Sequence, residues 1–83
     1  MNAQTVLVTG GLGFIGSHTC IALLESDYDV VVIDSLINSS ISVLSKIKEV
    51  TGKAPVFYNF DIRDEHKIKV VLDNHSVDAV IHF

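Results

Sequence analysis

Tryptophan is absent from this 83-residue chain, and cysteine, proline, arginine and methionine occur once each. A lone cysteine, Cys20, rules out an internal disulfide framework and sets a reduced, cytoplasmic location as the expectation. One proline and five glycines leave no window that reads as low-complexity or disordered. Positive charge is scarce. Six basic residues against ten acidic ones give a formal charge of −4, and the lysines are scattered, which argues against nucleic acid as a partner. No apolar run approaches the roughly 20 residues of a membrane span, and the opening Met-Asn-Ala-Gln has no basic segment or cleavage site of a signal peptide. The expectation is no nucleic acid and no membrane.

Apolar residues are plentiful, at 48%, and they fall in short blocks. "TVLVT" (5–9), "YDVVVID" (28–34), "PVFYNF" (55–60) and "VDAVIHF" (77–83) are continuous rather than alternating, as in strands buried on both faces. Helical spacing occupies the gaps. Gly16, Cys20, Leu23 and Leu24 share one face of a helix over about 14–26. Val43, Leu44, Ile47 and Val50 form a stripe on a second helix, stopped by Gly52 and Pro55. Ile68, Val71, Leu72 and His75 do the same on a third. The order βαβαβαβ predicts an α/β fold: a Rossmann-type doubly wound parallel sheet with right-handed crossovers, of which this is the first portion. A chain of this length buries only about 60–65% of its unfolded surface. It also stops on an apolar strand, so 1–83 is expected to be the N-terminal part of a longer protein.

Between the first strand and first helix stands "VTGGLGFIGSH" (8–18), in which Gly10, Gly13 and Gly16 form G-x-x-G-x-x-G. The first glycine permits a tight turn, the second a close backbone approach to a diphosphate, and the third close helix–sheet packing. Helix N–H groups and the positive helix end then face phosphates. A strand-to-helix turn uses glycines for packing alone as well, so the loop needs a partner feature. Asp34 supplies it, 18 residues beyond Gly16, close to the offset of about 20 at which an acidic residue meets the adenosine ribose hydroxyls. A carboxylate there repels a 2′-phosphate, and no arginine lies in either loop, so NAD is favoured over NADP. Asp61 and Ile62, at the exit of the third strand, suit an adenine amine and ring face. Asp61 equally suits the N-cap of the third helix.

Other tempting residues have plainer readings. His18 and Cys20, two apart on a helix, do not face one another, and no metal site is expected. His66 and His75 belong at the surface or end of the third helix, and His82 reads as a buried histidine near the crevice. No Ser/His/Asp or Cys/His arrangement and no Tyr-x-x-x-Lys pair is present, so no catalytic residue is assigned.

Thr9-Gly10-Gly11-Leu12-Gly13-Phe14-Ile15-Gly16-Ser17-His18 resembles the T-G-G-x-G-[FY]-I-G-S-H signature of the extended short-chain dehydrogenase/reductase superfamily. Within it, Asp34-Ser35-Leu36-Ile37-Asn38-Ser39 is similar to the D-N-L-x-N-S of the UDP-glucose 4-epimerase family, as are Phe60-Asp61-Ile62-Arg63-Asp64 and "VDAVIHF". Ser35 replaces the usual asparagine and Phe60 the usual glycine. The resemblance implies backbone contacts of Phe14 and Ile15 with the NAD pyrophosphate. It also implies Asp34, Ser35, Asn38 and Ser39 around the ribose, Asp61 and Ile62 at the adenine, and Phe83 at the nicotinamide-side turn. For the whole protein it implies a homodimer interconverting UDP-galactose and UDP-glucose, a UDP-hexose being oxidised and reduced at C4. The catalytic tyrosine, its serine or threonine partner and the lysine of that family fall outside 1–83. Another nucleotide-sugar epimerase, decarboxylase or dehydratase, or a non-catalytic NAD-sensing module, shares these same residues.

Overall fold

Four parallel strands alternate with three helices along the chain: β1 (Thr5–Thr9), α1 (Phe14–Glu25), β2 (Asp29–Ile33), α2 (Ser42–Thr51), β3 (Val56–Tyr58), α3 (Glu65–Asn74) and β4 (Val77–His82). The computed structural model describes residues 3–83; Met1 and Asn2, part of the segment read as lacking a signal sequence, lie outside the described residues. The sheet order is β3-β2-β1-β4, so the chain builds outward from β1 and then crosses back to its other side. That reversal places a topological switch point between β1 and β4, beyond whose carboxyl ends an open α/β sheet forms its crevice.

Strand alternation distributes the core between two layers. Val6, Val8, Val30 and Val32 point to one face, where Cys20 and Leu24 of α1 and Ile47 of α2 cover them. Leu7, Val31 and Ile33 point to the other, where Val71 of α3 packs. Helices on both faces of a parallel sheet make this the expected Rossmann-type, doubly wound α/β fold.

The helix ends follow local chemistry. Gly52 closes α2 in the left-handed conformation (φ 72°), its N–H bonded to the Lys48 carbonyl. The N-cap of α3 is Asp64, whose side chain accepts from the Lys67 N–H. The capping role considered for Asp61 therefore belongs to the residue three further on. At the sheet's far end Asp78 sits at a register shift between β1 and β4, and its carboxylate accepts the Thr5 N–H at 2.8 Å.

Three expectations from apolarity do not hold. Within 1–83 "VDAVIHF" is open on one side: β4 is the outer strand beside β1, and Val80 is 57% exposed. The outer members of two helical stripes are also open, Val50 at 60% and Leu72 at 45%. Apolar periodicity selects the face of a helix but not how far the sheet beneath it extends. β3 is shorter than 55–60, because after Tyr58 pairs with Ile33 the chain bends away.

Gly16 sits in the first turn of α1 directly over the glycine loop. A Cβ there would collide with the Gly10 carbonyl and lie 2.9 Å from the Gly11 Cα, both backbone. A Cβ on Gly13 would meet only the Gly10 carbonyl, at 3.4 Å. Gly16→Ala should thus lower unfolding stability by about 1–3 kcal/mol, as overpacking against a fixed wall does. Gly13→Ala should shift the urea midpoint far less; equal shifts would contradict this packing.

Candidate functional site

Each strand delivers a residue to the same edge of the sheet. The ladder continues one residue past the strands there: Gly10 N–H bonds to Ile33 O (2.8 Å), Phe83 N–H to Thr9 O (3.1 Å) and Asp34 N–H to Tyr58 O (3.2 Å). Gly10, after β1, takes φ 70°, a left-handed turn that L side chains rarely adopt. A Cβ on it would stand 3.3 Å from both the Cβ and the carbonyl oxygen of Phe83. The glycine loop and the end of β4 are therefore in close approach.

Asp34 is buried, with 7% of its surface exposed, and all its structural bonds hold loops in place. Oδ2 accepts the Leu12 N–H at 3.0 Å, across from β2 into the glycine loop. Oδ1 accepts the Leu36 N–H at 2.8 Å and the Ser39 hydroxyl at 2.7 Å. An ionised carboxylate offers about four acceptor sites. Three are taken, one remains, and Asp34 lines both cavities at this edge. Leu36 stands at φ 64°, an unfavourable backbone for a residue with a Cβ, held there by the same carboxylate. Neither Leu12 nor Leu36 was singled out in the sequence, because their contribution is a backbone N–H that any residue but proline carries.

Two adjoining cavities occupy this edge. One, about 350 Å³, is lined by Gly10, Gly13, Asp34, Ser35, Ile37, Asn38, Ser39 and Phe83. A smaller one, about 180 Å³, is lined by Thr9, Gly10, Ile33, Asp34, Ser35, Phe60, Asp61, Ile62 and Phe83. Nine of the twelve residues named from the sequence converge on these two spaces. Phe14, Ile15 and Gly16 lie beside them in the first turn of α1. The side chains of Phe14 and Ile15 point outward, 83% and 64% exposed, so what they offer is backbone. The helix ladder begins only with Ser17 N–H to Gly13 O, leaving the preceding N–H groups outside it.

Asp61 is gripped by Arg63: Oδ2 accepts Nη2 at 2.6 Å, and Oδ1 accepts both the Arg63 backbone N–H at 2.9 Å and Nε at 3.1 Å. The guanidinium hydrogen bonds hold its carboxyl down at about 2, from an ordinary 3.8. Phe60 packs below, edge-on to Tyr58 with the Lys67 ammonium over its ring.

The histidines divide by surroundings. His18 stacks edge-on against Phe14 at 4.9 Å, and His75, at the end of α3, bonds the Tyr58 hydroxyl at 2.8 Å. His82 is exposed rather than buried, but its Nδ1 lies 2.5 Å from the Thr9 hydroxyl. Cys20 is enclosed, and burial pushes its thiol up to about 11. Among the described residues no cluster of His, Cys, Asp or Glu could hold a metal ion, and no helix is long and apolar enough to cross a membrane.

Sheet order, two-sided helical cover and a crevice at the switch point define a Rossmann-type α/β protein. Residues 7–83 match the family described as GDP-mannose 4,6 dehydratase, and the chain belongs to that family. It is 51% identical over 79 residues to the UDP-glucose 4-epimerase uge1 of Schizosaccharomyces pombe, covering 95% of this chain and 22% of that protein. The UDP-glucose 4-epimerase of Stenotrophomonas maltophila, crystallised with NAD and formylated UDP-arabinopyranose, superposes with a TM-score of 0.94 at 49% identity, over 96% of this chain and 24% of that one. The Bifidobacterium longum UDP-glucose 4-epimerase, in complex with NAD+ and UDP, has the same TM-score at 46% identity and the same coverage. The similarity to epimerases read in the sequence holds along nearly the whole chain, which spans under a quarter of the length of the S. pombe relative.

Two outcomes test the electrostatics. In a carboxyl NMR titration Asp61 should show a midpoint near 2, returning toward 3.8 in Arg63→Gln. Because its folded value is depressed, its ion pair with Arg63 contributes fully above the unfolded value and is lost as pH falls from about 4 towards 2. The pair is exposed, so 1 M salt should weaken it. Asp34→Ala, which strands three donors, should lower unfolding stability by about 2–3 kcal/mol in urea titrations.

Proposed function

We propose that residues 1–83 are the N-terminal part of the NAD-binding Rossmann domain of a UDP-glucose 4-epimerase, holding the adenosine half of the cofactor. The observation that carries this reading is the buried Asp34 carboxylate, bonded into the glycine loop, with acceptor capacity left and both cavities lined by it. Asp34 would take the ribose hydroxyls, with Ser35, Asn38 and Ser39 along the same wall. Gly10, Gly13 and Gly16 keep side chains from the diphosphate, and the N–H groups of Phe14 and Ile15 face it. Ile62 flanks the adenine, Asp61 stands ready for its amine, and Phe83 closes the nicotinamide side. Arg63 already donates to both Asp61 oxygens, so the adenine amine would take the acceptor capacity that remains.

Bound there in the whole protein, NAD would supply reversible hydride transfer at C4 of a UDP-hexose, the chemistry needed to interconvert UDP-galactose and UDP-glucose. The residues of the crevice would bind and orient; among the described residues no group is assigned to move the hydroxyl proton. A UDP-hexose substrate is supported by the similarity to epimerases, and a cytoplasmic homodimer belongs to the same proposal for the whole protein. The family description, a dehydratase, favours a second reading in which the same cofactor half serves sugar 4,6-dehydration.

In the intact protein, calorimetry should show NAD binding weakened by about 1–3 kcal/mol in Asp34→Ala. The preference for NAD over NADP should shrink at the same time, because the charge that repels a 2′-phosphate is gone. Loss of folding alone would weaken both cofactors equally, so an unchanged ratio counts against the ribose role. Incubation with UDP-galactose should yield UDP-glucose, and a 4-keto-6-deoxy product instead would support the dehydratase.

A further inference from the structure

We propose that His82 is a positioning residue of this crevice, acting through Thr9 to hold the Gly10 turn against Phe83. Thr9 and His82 are register partners at the carboxyl ends of β1 and β4. Thr9 is a buried polar residue, 5% exposed, and its hydroxyl lies 2.5 Å from the His82 Nδ1. Its carbonyl accepts the Phe83 N–H at 3.1 Å. One residue pair thus ties the two strands by side chain and by backbone at the switch point.

The direction of the side-chain bond follows from what else Thr9 can reach. Among the described residues its hydroxyl has no other acceptor, and a buried O–H without one is costly. Thr9 therefore donates, Nδ1 accepts, and the imidazole proton sits on Nε2.

The position matters because of what flanks it. Gly10 follows Thr9 at φ 70°, and Phe83 follows His82. The pair approaches closely enough that a Cβ on Gly10 would meet Phe83 at 3.3 Å. Phe83 lines both crevice cavities, and Thr9 lines the smaller one. On the other side of the strand, Thr9 and His82 border an apolar cavity of about 360 Å³ with Leu72 and Val80. Without the Thr9–His82 bond, the wall between cavity and crevice carries an unpaired hydroxyl, and the end of β4 loses its side-chain tether.

The inference rests on the crevice binding NAD. Its test measures NAD affinity by calorimetry in the intact protein, for the parent and for Thr9→Val, His82→Leu, the double variant and His82→Asn. Each single apolar change should weaken binding about three- to tenfold, the range of one hydrogen bond. The double variant should lose no more than either single. His82→Asn, whose amide oxygen reaches the place of Nδ1, should restore affinity to within about twofold of the parent, as replacement of the same bond predicts. In the cofactor-free protein, ¹⁵N NMR should report the Nε2–H tautomer, lost in Thr9→Val. A parent that binds NAD while Thr9→Val and His82→Leu bind equally tightly overturns the role of His82 alone. So do additive losses, an asparagine no better than leucine, or the Nδ1–H tautomer. A parent that binds no NAD overturns the cofactor reading and this inference together. Should His82→Leu fail to fold, Thr9→Val and His82→Asn decide by the same criteria.

Discussion

The Asp34 carboxylate accepts the Leu12 N–H of the glycine loop on one oxygen, and the Leu36 N–H and Ser39 hydroxyl of its own loop on the other. Two segments that would otherwise move separately are thereby held in one arrangement. The cost of keeping Leu36 in a left-handed backbone is met by that bond. A charge buried among backbone donors is stable only while those donors stay aimed at it. Everything that lines the larger cavity stands on one or other of the two loops, except Phe83.

The arrangement depends in turn on sheet order. With β1 between β2 and β4, the glycine loop has Asp34 on one flank and Phe83 on the other. Binding groups can then be spread across four strand ends while the strands themselves remain plain apolar core. Of the three helices, α1 begins beside the crevice, directly after the glycine loop.

Much of this was legible in the chain. Continuous apolar blocks separated by 3.6-residue periodicity identified every element, and the spacing from Gly16 to Asp34 brought the two loops together correctly. What stayed hidden was of three kinds. Burial of β4 depends on neighbours rather than on its own composition, and within 1–83 it has one only on the β1 side. The choice of Asp64 over Asp61 as cap turns on α3 beginning at Glu65, after a turn that holds Asp61 with Arg63, which no spacing rule encodes. The N–H groups of Leu12 and Leu36 are invisible because a backbone donor has no letter. His82 was misread as buried; its importance lies in a tether to Thr9 rather than in depth.

Cys20 lies behind this assembly, its sulfur 3.7 Å from the Gly11 carbonyl and fully enclosed by the sheet and α1. An alkylating reagent meets this thiol only when the helix lifts from the strands, and the raised ionisation slows any attack in the closed form. The side chain is thus an internal clock for the glycine loop. Its labelling rate counts openings of the glycine-loop corner, and a ligand that seals that corner would slow the clock without touching the sulfur.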